Sequence, residues 1–205
     1  MFVADADMQL DCLRQGDILQ GIPFPLLDAT KLSILGQIRA DGSNPSPVLV
    51  PTTHVHRSDA GYYWAQLPVK LAFAVVISNC CEVEPRHGKL LQPAFMVARL
   101  IPIKESIRRD ADKLSSLRAN KDPRSDAPGY IDYFYVESHP KLDGKDWMVD
   151  YSQVVSIPNS EFPGILTKKM VQMTIRSRVK FKIKLAVYYG RIEDEEAADA
   201  RPEAW

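Results

Sequence analysis

The stretch LAFAVVIS, from Leu71 to Ser78, decides the fold class. It is apolar at almost every position and carries two consecutive valines at its centre, so a strand here would be apolar on both of its faces. That pattern is typical of a central strand that is covered on both sides. A second apolar run, PAFMVARLIPI from Pro93 to Ile103, follows after the polar stretch NCCEVEPRHGK. We therefore predict a core hairpin of two buried strands.

Shorter elements lie on both sides of this hairpin. Strands are predicted at 17–20, 48–50, 130–136 and 147–157, where β-branched and aromatic residues are bounded by turn residues. Residues 104–120, KESIRRDADKLSSLRAN, have the apolar spacing of a helix with a narrow apolar stripe. Residues 174–190 fit either a strand, by alternation, or a helix, by a possible N-cap at Thr174 and a glycine at position 190. The segment is long for one strand, which favours the helix.

Strands interrupted by a lateral helix and followed by a C-terminal helix predict an α+β domain around a small, strongly bent β-barrel. A chain of 205 residues with 45% hydrophobic content is long enough for one well-packed domain. We predict that domain over residues 1–192, with a helical insertion near 104–128. The acidic residues 193–205 are predicted to form a flexible tail. This composition excludes a disordered chain, a collagen-like repeat and a small disulfide scaffold.

The compartment follows from the cysteines and from the absence of targeting signals. There are three cysteines, and two of them are adjacent, which favours a reducing compartment over a disulfide framework. The N-terminal residues lack the pattern of a signal peptide, and the longest apolar run, Leu71–Ile77, is far too short to span a bilayer. We predict a cytoplasmic protein without a membrane partner.

The zero formal net charge conceals an uneven distribution of charge along the chain. Residues 1–161 carry 17 basic and 20 acidic groups, residues 162–192 carry eight basic and no acidic groups, and residues 193–205 carry one basic and six acidic groups. Neutrality therefore excludes steering by bulk charge but allows a local basic face. The acidic tail is positioned in the sequence to shield that face.

The basic segment is the strongest positional signal for a nucleic-acid interface. On a strand or on a helix it would present a row of cations that can follow a phosphate backbone. The alternative is a solvated face whose apolar side packs on the core. The residues predicted to bind nucleic acid are Lys168, Lys169, Arg176, Arg178, Lys180, Lys182 and Lys184.

Thiol and metal chemistry were weighed at two further places. Cys80 and Cys81 follow the best strand and could supply a nucleophile, but the acidic neighbours Glu82 and Glu84 would raise a thiol pKa, so small core residues are the simpler interpretation. The sequence His54-Val55-His56 matches no zinc pattern. No glycine-rich phosphate loop occurs in the chain. We predict neither a metal nor a cofactor.

Three short motifs carry a resemblance to a known family. The order GDIL (Gly16–Leu19), AVVIS (Ala74–Ser78) and ARLIPI (Ala98–Ile103) resembles the MazF/PemK toxin-like group over the first half of the chain. The resemblance implies an SH3-like barrel, an endoribonuclease or a relative of one, and pairing with an antitoxin. The family usually has an arginine before its second strand, where this chain offers only Lys70, and a threonine after the "P-I" pair, where this chain has Lys104.

From the resemblance we predict a toxin-like or defence-related protein that binds nucleic acid, with RNA as the candidate ligand. From the departures we predict weak or lost ribonuclease activity. Any cleavage would use Glu82, Lys104 or Lys70 in acid–base or charge-stabilising roles. The alternative is a non-catalytic module that holds a protein partner on the aromatic strand at 130–136 or on the basic segment. Whether the chain is catalytic, and in what oligomeric state, stays open at this point.

Overall fold

A computed structural model describes residues 1–25, 33–35, 49–51, 65–66, 68–79, 93–120 and 132–190. Its strands are β1 Ile18–Pro25, β2 Ser33–Leu35, β3 Leu49–Pro51, β4 Ala65–Gln66, β5 Val69–Val76, β6 Ala94–Pro102, β7 Tyr133–Val136, β8 Trp147–Pro158 and β9 Lys169–Val171. Its α-helices are α1 Glu105–Arg108, α2 Ala111–Arg118, α3 Phe162–Leu166 and α4 Ile175–Gly190. Short 3-10 turns occupy Asp5–Asp7, Pro140–Leu142 and Asn159–Glu161.

The chain divides into two compact units. One contains Met1–Ile22 and Ala72–Trp205, and the other contains Pro23–Leu71. The smaller unit carries a three-stranded antiparallel sheet of order β3-β2-β4. Compactness alone does not establish that either unit folds independently, so the single domain predicted over residues 1–192 stays a prediction.

Six strands form the main sheet, in the order β7-β8-β6-β5-β1-β9. Together with the helices this confirms the predicted α+β class. The small, strongly bent SH3-like barrel is not confirmed, because β7 and β9 stand at opposite ends of the sheet and do not pair with each other within the described residues. A barrel requires its first and last strands to join, so this sheet has two edges.

The core hairpin predicted from the sequence is present. β5 lies inside the sheet, and its residues from Phe73 to Val76 are all buried, as expected of a strand that is covered on both faces. It pairs antiparallel with β6, with Ala74 opposite Arg99. The long strand β8 then pairs with β6 along its whole length, with a register shift between Ala98 and Arg99.

Residues 174–190 form the predicted helix, α4. The N-cap is the expected one, because the Thr174 hydroxyl oxygen accepts a hydrogen bond from the Ser177 N–H at 3.3 Å. Phe181 and Leu185 are buried against the sheet in a cluster that includes Phe134 and Tyr151, whereas Val179 is 49% exposed. The alternating apolar residues therefore point in different directions, as a helix requires and a strand forbids.

Helices α1 and α2 cover part of the opposite side of the sheet. Ile107 and Leu117 are buried with Ile103 and Met148, and the partly buried Tyr133 and Tyr135 of β7 pack against this cluster. The predicted helix over residues 104–120 is thus two short helices. The second begins at Asp110, whose side chain accepts a hydrogen bond from the Lys113 N–H.

The first residues of the chain pair with residues near position 170. Val3 N–H donates to the Gln172 carbonyl, Thr174 N–H donates to the Met1 carbonyl, and β1 pairs antiparallel with β9. The N-terminal segment therefore belongs to the same unit as α4, although more than 160 residues separate them in sequence.

Candidate nucleic-acid interface

The structure separates the seven predicted nucleic-acid-binding residues into different environments. Lys169 and Lys184 are buried, at 6% and 3% exposure, and therefore do not present charge to a surface ligand. Arg176, Lys180 and Lys182 are exposed on α4. Helix α4 therefore does not present the single continuous row of cations that the sequence predicts.

Lys169 lies at the centre of a buried polar network. Its ammonium is 2.7 Å from the Asp17 carboxylate and donates to the backbone carbonyl oxygens of Gln9 and Cys12 and to the side-chain oxygen of Gln172. Burial raises the pKa of Asp17 above its usual value, and the hydrogen bond and charge of Lys169 oppose that rise. These bonds satisfy a buried charge and join the N-terminal segment to β9, so Lys169 is structural.

Two further predicted cations also face groups of the chain. Arg178 lies beside Gly16, and its positive charge acts to lower the pKa of Asp17. The Lys168 ammonium donates to the Gly21 carbonyl oxygen at 3.4 Å. The exposed positive charge of the segment is therefore concentrated on α4.

Lys184 is one turn beyond Lys180 on α4, on the side of the helix that turns into the protein. Burial lowers the pKa of Lys184 to about 8. No ion pair or hydrogen bond of its ammonium is present among the described residues, so desolvation acts without compensation. On a helix, Arg176, Lys180 and Lys184 follow one another at intervals of four residues, and the exposed part of this row ends at Lys180.

A cavity of about 200 Å³ lies beside β7, which is an edge strand of the main sheet. Arg176 and Lys180 line it from α4, and Arg118 lines it from the C-terminal end of α2. Phe134 and Tyr135 of β7 also contribute to its walls. Three cationic side chains from two different helices thus converge on one recess, which we call the β7-edge cavity.

The guanidinium of Arg118 is held in place by its neighbours. It donates to the Asp146 carboxylate at 2.9 Å and lies over the Tyr135 ring, 5.9 Å from the ring centroid. The hydrogen bond to Asp146 raises the pKa of Arg118. Burial acts to raise the pKa of Asp146, but hydrogen bonds from Arg118 and Tyr135 outweigh it and lower that pKa. Sequence reasoning missed Arg118, because its helix carries acidic residues as well as basic ones and is not part of the basic segment.

Asn120 lies against the edge of β7 beside the cavity. Its backbone has a left-handed conformation, with φ of 45°. Its amide contacts both backbone hydrogen-bonding groups of Tyr135. Glu137, the acidic residue of the cavity lining, forms an ion pair with the Met1 amino group. The charge of Glu137 is therefore offset within the chain, as is that of Arg118 by Asp146, and Arg176 and Lys180 define the electrostatic character of the recess.

The structure describes two of the three predicted catalytic residues. Lys104 is exposed, and its ammonium donates to the Tyr133 hydroxyl and lies 4.7 Å from the ring centroid; this hydrogen bond raises the pKa of Lys104. Lys70 is exposed on β5, in the smaller unit. Glu82 lies outside the described residues, as do Cys80, Cys81, His54 and His56.

No cluster of three or more His, Cys, Asp or Glu side chains that could hold a metal ion occurs among the described residues. None of the helices they form is long and apolar enough to cross a membrane.

No family model matches the chain, and no curated protein is significantly similar to it.

Proposed function

We propose that this chain binds nucleic acid, with RNA as the first ligand to test, through the β7-edge cavity and the adjoining face of α4. The observation that carries the proposal is the convergence of Arg118 with Arg176 and Lys180. Arg176 and Lys180 form no ion pair among the described residues, and α4 contains no acidic residue. Cations that are not neutralised within the chain are the ones that release counterions from a phosphate backbone.

The sequence resemblance adds a biological setting to this proposal. Similarity of GDIL, AVVIS and ARLIPI to the MazF/PemK group supports a cytoplasmic toxin or defence component, with an antitoxin as a possible partner and an SH3-like ancestry for the sheet. The proposal includes weak or lost endoribonuclease activity. Among the described residues, Lys104 is the candidate for a catalytic role, because Tyr133 holds its ammonium at the surface. Incubation with single-stranded and structured RNA tests this part, and intact RNA after long exposure would remove it.

The binding proposal is tested by salt dependence. Anisotropy of a labelled single-stranded RNA between 50 and 200 mM salt measures the number of phosphates neutralised; Arg176 and Lys180, the two cavity cations without an ion pair, give a log–log slope of about −1.4. The double variant R176M/K180M should bring the slope close to zero, since the remaining cation, Arg118, is already paired with Asp146. The double variant K168M/K182M removes the same charge outside the cavity and is the matched control. Equal slopes for the two double variants, or no salt dependence in the parent chain, would contradict the proposal.

A second candidate function, a module that holds a protein partner, is favoured by a different surface of α4. Ile175, Val179 and Tyr189 are 72%, 49% and 56% exposed, and the spacing from Ile175 to Val179 and on to Tyr189 keeps them on the outward side of the helix. Arg176 and Lys180 lie on one side of this apolar stripe, and Lys182 lies within it, between Ile175 and Tyr189. Charge complementarity therefore fits an acidic amphipathic helix of a partner, whereas a second copy would oppose cations to cations.

A designed amphipathic peptide distinguishes this second candidate. A 21-residue helix with leucines on one face and glutamates beside them should bind the chain, and I175S/V179S should abolish that binding. The same peptide with lysines in place of the glutamates is the control. Equal binding of both peptides, or of neither, would contradict the module.

A further inference from the structure

The β7-edge cavity has the size of a site for one chemical group and not for a whole ligand. Its volume of about 200 Å³ lies below the range of about 300–1,000 Å³ that is usual for pockets that bury drug-sized molecules. A base, a sugar and a phosphate together do not fit such a space, but the end of a strand can enter it. The charge of the lining then decides which end group fits best.

Three cationic side chains line this small volume, and their number indicates which phosphate group fits it. An internal phosphodiester carries one negative charge and continues into a nucleoside on each side. A terminal phosphate monoester carries about 1.5 to 2 negative charges at pH 7 and presents three acceptor oxygens. Because Asp146 offsets the charge of Arg118, Arg176 and Lys180 supply the positive charge that matches a monoester, and the three side chains together match its oxygens in number.

The backbone that carries the cavity cations, and the side chain of Arg118, are fixed before any ligand arrives. Asp146 and the Tyr135 ring orient Arg118, and the Asn120 amide fixes Tyr135 by its backbone. Arg176 and Lys180 are one turn apart on a helix that is anchored in the core through Phe181. Binding then orders only the side chains of Arg176 and Lys180 and not their backbone, so a compact anion loses less conformational entropy here than on a flexible basic tail.

We propose that the β7-edge cavity binds a terminal phosphate monoester of a nucleic-acid strand. This inference rests on the proposed nucleic-acid binding and adds the group that is recognised. In this arrangement Arg118 donates to the phosphate from α2, and Arg176 and Lys180 donate from α4. The remainder of the strand leaves the cavity over the exposed face of α4, where Lys180 also lies.

The test uses the full chain and four RNA strands of one sequence. They carry a 5′-phosphate, a 3′-phosphate, both phosphates or hydroxyl groups at both ends, and affinity is measured by competition against a labelled strand at fixed salt. At least one monophosphorylated strand should bind about tenfold more tightly than the strand without terminal phosphate. The variants R118M and K180M should each reduce that preference to about twofold or less, whereas K182M, on the same helix but outside the cavity lining, should retain it.

The outcomes separate the two proposals. Equal binding of all four strands overturns the terminal-phosphate inference and leaves nucleic-acid binding intact, while the absence of binding by any strand overturns both. Adenosine monophosphate and inorganic phosphate serve as competitors; if either binds as tightly as the phosphorylated strand, the site recognises a free phosphate compound and the strand-end inference is wrong. Because R118M leaves Asp146 without its arginine, R176M is the second variant, and it should lose the preference without a change in melting temperature.

Discussion

The side-chain amide of Asn120 replaces a neighbouring strand for Tyr135. Its Nδ2 donates to the Tyr135 carbonyl oxygen at 2.8 Å, and its Oδ1 accepts from the Tyr135 N–H at 2.7 Å. An edge strand has outward-facing backbone groups of this kind, and here one residue satisfies two of them. The same contact sets the end of α2 against β7, and thereby the position of Arg118 at the β7-edge cavity.

Removal of the Asn120 amide should destabilise the fold. N120G keeps the left-handed backbone conformation accessible but leaves two partly buried groups of Tyr135 without their partner, so we expect a loss of about 1–3 kcal/mol in the free energy of unfolding by urea. N120A should lose more, because alanine is strained at φ of 45°. If N120G unfolds at the same urea concentration as the parent chain, the amide contact has no stabilising effect.

Asp17→Asn should be among the most destabilising single changes in the chain. It leaves the Lys169 ammonium buried without its carboxylate, and breaking a buried pair in this way costs about 3–5 kcal/mol. The double variant D17N/K169M should lose less than the sum of the two single variants, since no unpaired charge remains. D5N, in the exposed pair of Asp5 with Lys141, is the control and should cost less than about 1 kcal/mol. Comparable losses for D17N and D5N in urea unfolding would contradict this assignment.

Lys184 should give the protein a rise in stability at alkaline pH. Its pKa is about 8 when folded and 10.5 when unfolded, so between these values the unfolded chain holds more protons and the free energy of unfolding increases with pH. The full difference corresponds to about 3 kcal/mol, and below pH 8 both states are protonated and the slope vanishes. K184M should be more stable than the parent at pH 7 and lack this rise. K182M, an exposed lysine on the same helix, should keep it; an identical pH profile for K184M and the parent would refute the prediction.

Lys180 and Lys184 should differ sharply in nucleic-acid binding although they are one helical turn apart. Lys180 lines the β7-edge cavity, whereas Lys184 is buried. K180M should therefore weaken RNA binding several-fold and reduce the salt slope by about 0.7, while K184M leaves both unchanged. A loss of affinity in K184M equal to that in K180M would mean that the helix turns a different face to the ligand.

Deletion of residues 193–205 should strengthen polyanion binding. This segment carries six acidic residues and one basic residue, and its charge opposes that of α4. The gain should be largest at 50 mM salt and shrink at 200 mM, because screening shortens the range of the repulsion. A chain of the same length in which the six acids are changed to their amides serves as the control. Unchanged affinity at low salt would leave the tail without a part in binding.

Patterns within one segment predicted the elements well. The apolar run at 71–78 predicted an inner strand because burial on both faces leaves no polar position, and β5 has that place in the sheet. The segment at 174–190 was ambiguous in periodicity, and the hydroxyl of Thr174 together with the length pointed to the helix that the structure shows. Such features depend on residues that are close together in the sequence, so a local pattern is enough to predict them.

Relationships between distant segments were not predictable in the same way. The distribution of charge along the sequence places Lys169 in a basic segment. Its environment in the structure is set by Asp17, which lies near the other end of the chain. Arg118 joins Arg176 and Lys180 only because α2 and α4 both reach the edge of β7. The predicted barrel is not confirmed for a related reason, since joining the first and last strands depends on a long-range register that no local pattern encodes.

The pairing of the N-terminal segment with residues near position 170 also constrains how the protein is made. The contacts of Lys169 with Gln9, Cys12 and Asp17 form only after Lys169 has been synthesised. At about 5–20 residues per second, the ribosome takes about 8–30 s to extend the chain from these residues to Lys169. During this interval, β1 lacks β9, and its outer edge is open to other chains on the same polysome. A ribosome that stalls before codon 169 therefore releases a product that cannot complete its sheet.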